Sequence, residues 1–296
     1  MTNTARTLRT AVTLLLGATL SACTDVAMQG LNAPSYLLGN MRTERGLAYG
    51  EQAHQKLDLF FPADGAAFHG QLVVFVYGGA WTSGSRGSYY FVADALTAAG
   101  YAVAIPDYIK YPQGAFPEFV TDVAQAVQWL ARNIDEYADI NDFVLMGHSA
   151  GAHTAALILT DDAYLDTAGL DKPPISAFVG LAGPYGFKPE KEKYRNIFAN
   201  LEDFNQMRPL HFANGDEPPM LLLHGEDDTT VLPVNTRKFA ARINEGGGSA
   251  ETKFYPGAGH VAPLLALARL PLGDSRIQAD ILDFLQRRSS PPPAQP

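Results

Sequence analysis

Gly147-His148-Ser149-Ala150-Gly151 is the stretch best equipped for covalent chemistry. It holds the pattern G-x-S-x-G between an apolar run, Phe143–Met146, and a helical pattern over Ser149–Leu159. A serine on a sharp strand-to-helix turn has strained backbone, so its neighbours must carry little or no side chain. The turn lifts the hydroxyl out of the sheet and sets it at a helix N-terminus, whose partial positive charge favours developing negative charge. A serine hydroxyl is a weak nucleophile until a base takes its proton, and the base in turn needs a carboxylate to hold its tautomer. Seven histidines are available: His54, His69, His148, His153, His211, His224 and His260. His148 and His153 flank the serine, and a side chain just before the nucleophile points away from it on such a turn. Both are read as structural or pocket-wall residues, with His148 a candidate to touch substrate.

In hydrolases built on this turn the acid follows the serine in the chain and the histidine follows the acid. The apolar run Met220–His224 leads into Gly225-Glu226-Asp227-Asp228, and only His260, in the Gly-rich turn Pro256–His260, comes after that acidic loop. His260 is therefore the expected base. Glu226, Asp227 and Asp228 all remain candidates for the acid on residue type alone. A third group is needed to hold a developing oxyanion. The run Gln71–Tyr77 ends in Tyr77-Gly78-Gly79-Ala80-Trp81. Glycines there let the backbone approach a ligand closely, and the N–H groups of Gly78, Gly79 and Ala150 are the expected donors. Trp81 is the expected substrate-contacting side chain of this loop.

The elements that must position these residues alternate regularly. Apolar runs at Gln71–Tyr77, Ala102–Pro106, Phe143–Met146, Ala177–Leu181 and Met220–His224 read as strands covered on both faces. Further strands are expected near Leu47–Glu51, Lys56–Phe61 and Thr252–Tyr255. Helices are expected over Tyr89–Ala99, Pro117–Asn133, Ser149–Leu159, Val234–Asn244 and Ile277–Gln286. This rhythm predicts an α/β fold: a mostly parallel twisted sheet of about eight strands with helices on both faces. Residues 184–217 fall outside the rhythm and read either as a small cap over a pocket or as a surface excursion. The core domain is expected over 46–288, after a lead-in at 23–45 that is irregular from Ala33 to Met41. The Pro-rich end, 289–296, is expected to be disordered.

The chain has 296 residues and a formal net charge of −9. A net-acidic chain without a Lys/Arg run is a poor partner for nucleic acid. The histidines lack the spacing of a metal-binding motif, and no dinucleotide or phosphate-loop pattern stands out; no metal or cofactor is expected. At the N-terminus Arg6 and Arg9 precede a short apolar stretch, Ala11–Leu20, about half the roughly 20 residues that span a bilayer. A basic start, a short apolar core and small residues describe a secretory signal at 1–22.

The segment Leu20-Ser21-Ala22-Cys23 resembles the lipobox of bacterial lipoproteins, in which the cysteine is lipidated and becomes the first mature residue. Cys23 is the sole cysteine of the chain. The resemblance implies a lipid anchor to a membrane at Cys23 and a place in the cell envelope, facing the periplasm. Thr24 after the cysteine favours the outer membrane, by resemblance to enterobacterial lipoproteins.

From about Tyr49 to Leu285 the chain resembles the α/β-hydrolases, in particular their bacterial carboxylesterase and feruloyl-esterase-like group. It is similar to kynurenine formamidases and prenylcysteine methylesterases. The shared pieces are Gly78-Gly79-Ala80-Trp81, Pro106-Asp107-Tyr108, the Ser149 pentapeptide, the acidic loop and Gly259-His260. The resemblance places the acid at Asp228, with Val231 closing the H-G-x-x-D-x-x-V segment, and makes His224 a structural histidine. It puts Asp107 and Tyr108 in the scaffold beside the pocket. Tyr77 stands where the formamidases carry histidine, and Ala80 where the hormone-sensitive-lipase branch carries a third glycine. The implied activity is hydrolysis of short-chain or aromatic acyl esters by a Ser149–His260–Asp228 triad. Formamide or amide hydrolysis is the alternative, and a non-catalytic binding lipoprotein on the same fold is the alternative of another class.

Overall fold

The computed structural model describes residues 30–140, 142–166, 173–269 and 272–288. Eight strands form one sheet: β1 (Met41–Ala48), β2 (Lys56–Pro62), β3 (Gln71–Val76), β4 (Ala102–Pro106), β5 (Asp142–His148), β6 (Ile175–Leu181), β7 (Met220–Gly225) and β8 (Ala250–Tyr255). Their order is β1-β2-β4-β3-β5-β6-β7-β8. The contacts β1–β2 and β2–β4 are antiparallel, and every other neighbouring pair is parallel. This is the mostly parallel sheet of eight strands that the residue pattern predicts, in the fold that the resemblance to α/β-hydrolases implies.

Every residue of β3, β4, β5 and β7 is buried. A strand covered on both faces needs no polar alternation, so these read as unbroken apolar runs. Among the described residues after β3, five helices of nine residues or more connect and cover the sheet: α1 (Tyr90–Ala98), α2 (Glu118–Asn133), α3 (Ala150–Thr160), α4 (Val234–Glu245) and α5 (Ser275–Arg288). In α2 the buried side chains Phe119, Val120, Val123, Val127 and Leu130 recur at helical spacing and form its inner stripe. No helix among the described residues is long and apolar enough to cross a membrane.

The N-terminal edge departs from expectation. The first strand is Met41–Ala48 rather than Leu47–Glu51, and the expected irregular lead-in is helical over 30–38. The boundary set between 45 and 46 therefore cuts through β1. The strand is an edge with no fully buried residue, so it carries no apolar run to announce it. Its register shifts between Glu44 and Leu47, where Gly46 takes φ +70° and its N–H donates to Asp58 Oδ1 at 2.7 Å. The helical segment is tied down by Asn32, which donates to Gly87 O and accepts from Phe91 N–H, each at 3.0 Å. The expected signal, Cys23 and the Pro-rich end lie outside the described residues.

The parallel strands all finish at one rim. The chain leaves β3 into Gly78, β5 into Ser149, β7 into the acidic loop and β8 into the turn that carries His260. Four segments far apart in sequence thus converge at the carboxyl edge of the sheet, where open α/β sheets bind ligands.

Candidate active site

The turn at Ser149 is strained, and the glycines around it explain how it closes. Ser149 sits at φ 54°, ψ −120°, between the end of β5 and the start of α3. A non-glycine residue there costs roughly 1–3 kcal/mol. A Cβ on Gly151 would lie 2.0 Å from Val76 O, and one on Gly147 would lie 2.6 Å from Ala152 N. A larger residue at Gly151 would push α3 off β3, and one at Gly147 would push it off the end of β5. Ser149 N–H donates to Leu181 O at 2.9 Å, which pins the turn to the end of β6.

The three groups that sequence reasoning separated by long stretches of chain meet in a continuous relay. Ser149 Oγ lies 2.9 Å from His260 Nε2, and His260 Nδ1 lies 2.7 Å from Asp228 Oδ2. Asp228 Oδ1 accepts the N–H groups of Thr230 at 2.8 Å and Val231 at 2.9 Å. Burial of this carboxyl raises its pKa. The hydrogen bonds from His260, Val231 and Thr230 lower it by more, so the group stays ionised below the usual carboxylate range. Of the three acidic residues of this loop, Asp228 is the one hydrogen-bonded to His260. Glu226 and Asp227 are exposed, Glu226 pairing with Arg237, while the Asp228 side chain is fully buried. Asp227 contributes its backbone: its N–H donates to Ala258 O at 3.0 Å and joins the acid loop to the base loop.

His224, which the resemblance makes structural, is buried at the end of β7. Its Nε2 donates to Val231 O at 2.8 Å and lies 3.1 Å from Asp228 Oδ2. With Nε2 donating and the ring neutral, Nδ1 accepts from Thr236 Oγ1 at 2.7 Å. Burial lowers its pKa, so it remains neutral and braces the acid loop. Of the two readings of His148, the geometry fits the structural one. It is buried and is not among the residues lining the cavity described below; its Nε2 donates to His260 O at 3.1 Å. A side chain one residue before Ser149 points to the side where the loop of His260 returns, so His148 anchors that loop.

The hydroxyl of Ser149 opens on a cavity of about 460 Å³. Ala80 and Ala150 border it beside the serine, and Trp81 and Phe187 stack at 5.7 Å in its wall. Thr230, Val231 and Leu232 also line it. Gly78 is packed beneath the turn instead: a Cβ there would lie 2.9 Å from His148 O and 3.1 Å from Ser149 Cβ. Gly79 takes φ +130°, followed by Ala80 at +52° and Trp81 at +59°. Two consecutive non-glycine residues in the left-handed region mark a loop whose shape is imposed by its surroundings. Ala80 was read only as a departure from a glycine pattern; its positive φ and its place on the cavity wall were not visible in sequence.

The BD-FAE family model matches residues 57–243, more than half of the chain. This protein belongs to the BD-FAE family. Among its relatives are the isoprenylcysteine alpha-carbonyl methylesterase ICME of Arabidopsis thaliana, 30% identical over 74% of this chain and 56% of that protein, and the esterase LipC of Mycobacterium tuberculosis, 30% identical over 76% of this chain and 61% of that protein. The chain thus spans less than two thirds of the length of these curated relatives. Esterase B from Lactobacillus rhamnosis has the same fold, with a TM-score of 0.77 at 18% identity over 94% of this chain and 95% of that one.

In this BD-FAE chain the loop of Gly78–Trp81 is held at both ends by one carboxylate. Asp107 Oδ1 accepts from Tyr77 Oη at 2.6 Å and from Arg86 N–H at 2.8 Å, and Asp107 Oδ2 pairs with the Arg86 guanidinium. Arg86 Nε also donates to Asp58 Oδ1 at 2.9 Å. Tyr77 is stacked between Tyr108 and Tyr89, with ring centroids 4.8 and 5.1 Å away. Burial, reinforced by Tyr108 and Asp107, pushes the Tyr77 hydroxyl well above its ordinary pKa, so it remains a donor. Asp107 was read as scaffold beside the pocket; its span from Tyr77 to Arg86 was not legible.

His153, on α3 behind Trp81, is buried and is expected to make the fold sensitive to acid. Its ring meets Trp81 edge-on at 5.1 Å, and its Nε2 donates to Met207 O at 2.6 Å. Burial depresses its pKa from 6.5 to about 4. Below pH 6.5 the unfolded chain binds a proton that the folded chain refuses, so stability is complete above pH 6.5 and is lost as pH falls toward 4. The full span is worth about 3 kcal/mol. We expect the thermal unfolding midpoint to fall between pH 7 and 4.5, and the fall to be shallower in His153→Gln, which keeps a donor for Met207 O. An equal slope in the two proteins would rule out His153 as its source.

Proposed function

We propose that this protein is a serine carboxylic-ester hydrolase that works through an acyl-enzyme. The observation that carries this reading is the unbroken relay from Ser149 Oγ through His260 to buried Asp228, opening on a cavity that Ala80 and Ala150 help to line. Ser149 Oγ attacks the ester carbonyl carbon while its proton passes to His260 Nε2. The oxyanion is held by Ala150 N–H together with amides of the 78–80 loop, the role expected of Gly78 and Gly79, with Ala80 added by its position at the cavity. His260 then gives the proton to the departing alkoxide. Water, deprotonated by His260, attacks the acyl carbon and releases the acid and Ser149. Asp228 keeps Nδ1 protonated throughout and stabilises the imidazolium.

The family and the esterase names of ICME and LipC support this reading. The aromatic wall of Trp81 and Phe187 suits short-chain or aromatic acyl groups. We place the enzyme in the cell envelope, exported by the signal at 1–22 and anchored through lipid on Cys23.

The test is a fluorophosphonate probe with peptide mapping, run beside a panel of p-nitrophenyl acetate, p-nitrophenyl butyrate and methyl hydroxycinnamate. Phosphonylation at Ser149 and turnover of at least one ester are expected. A folded chain that neither labels nor turns over any of them would return the protein to the non-catalytic class.

A further inference from the structure

The outer part of the cavity carries a charge pattern at odds with the rest of the chain. After β6 the chain passes along the cavity with Phe187, Lys188, Glu190, Lys191 and Tyr194 lining it. Phe187 stacks on Trp81 at 5.7 Å and meets Tyr194 edge-on at 5.8 Å, so aromatic anchors hold this segment on both sides of its lysines. Lys188 and Lys191 are both exposed, and neither ammonium has an ion-pair partner among the described residues. Lys193 does not line the cavity; its Nζ lies 4.7 Å from the Tyr194 ring centroid. Glu190 is the one carboxylate among the lining residues. On a chain of net charge −9, the entrance therefore presents two cations against one anion. Asp228 lies behind it, with its charge already met by two backbone N–H groups and His260.

Building on the hydrolase reading, we propose that the cavity selects esters carrying a carboxylate remote from the scissile bond. Half-esters of dicarboxylic acids and acylated hydroxy acids are the chemical class. The neutral stem lies along Trp81 and Phe187, and the carboxylate meets Lys188 and Lys191. Both lysines are exposed, so each is worth about three- to fivefold in kcat/KM, and the preference weakens as salt screens it.

The test compares matched pairs that differ only in the remote carboxylate: monoethyl adipate against ethyl hexanoate, and 6-acetoxyhexanoate against hexyl acetate. The kcat/KM ratio of charged to neutral ester is measured on the full chain. It is expected to fall about tenfold in Lys188→Gln/Lys191→Gln and further in Lys188→Glu/Lys191→Glu. It is expected to rise in Glu190→Gln, a direction that damaged folding would not produce. Ratios that move less than twofold in the double variants, while the neutral esters are still turned over, overturn this inference and leave the hydrolase reading intact. Absence of turnover of all four esters by an unaltered chain that still hydrolyses p-nitrophenyl acetate overturns this inference alone; absence of that activity and of fluorophosphonate labelling as well overturns the hydrolase reading, and this one with it.

Discussion

Replacing Ser149 by alanine is expected to lower kcat for p-nitrophenyl esters by about 10⁴–10⁶-fold while leaving the fold in place. The change removes one oxygen at a position that constrains the backbone more than the side chain. Ser149 holds φ 54° through its N–H bond to Leu181 O and through the close approach of Gly147 and Gly151 to their neighbours, none of which involves Oγ. Alanine meets the same strain as serine, so the thermal midpoint should move little. The residual rate would come from oxyanion donors and a bound water acting without a nucleophile, which in other triads leaves about 10³–10⁴ over the uncatalysed reaction. The measurement is kcat beside the unfolding curve of the same preparation. Turnover within tenfold of the parent, in a protein shown by mass to be free of unaltered chain, would remove Ser149 from the mechanism.

What sequence made legible follows from where the physics is local. β3, β4, β5 and β7 announce themselves because strands buried on both faces can carry only apolar residues. The turn at Ser149 announces itself because its strain admits only small neighbours. β1 was misplaced because an edge strand without a fully buried residue leaves no such trace, and its bulge at Gly46 depends on Asp58 in the next strand. The contact made by His148 was hidden for a similar reason. Its direction follows from the turn, but its partner, His260 O, comes 112 residues later and is fixed by the base loop. Asp107 shows the same limit: nothing near it in sequence says that it reaches both Tyr77 and Arg86. The segment 184–217 lacks long elements altogether, so its contribution to one cavity wall rests on Phe187 meeting Trp81.

The acid offers the sharpest separation between a structural and a chemical role, because Asp228→Asn keeps the size of the side chain and changes only where hydrogens sit. Asp228 Oδ1 accepts two backbone N–H groups, so the amide oxygen must take that place and the NH₂ must face His260 Nδ1 and His224 Nε2. His260 Nδ1 then has to accept a hydrogen bond, which moves its proton to Nε2, opposite Ser149 Oγ. In that tautomer the imidazole cannot receive the serine proton, and kcat should fall by about 10⁴. His224 suffers differently. Its Nε2–H is committed to Val231 O, so the new amide presents a donor to a donor and the acid loop loses one brace. A modest drop in thermal midpoint should therefore accompany the rate loss. The two effects separate at Thr236, whose hydroxyl sets His224 without touching His260. Thr236→Val should lower stability with far less effect on kcat, since Asp228 still orients His260. A kcat in Asp228→Asn within tenfold of the parent would mean that the tautomer of His260 is not set by this carboxylate, and the relay would lose its acid.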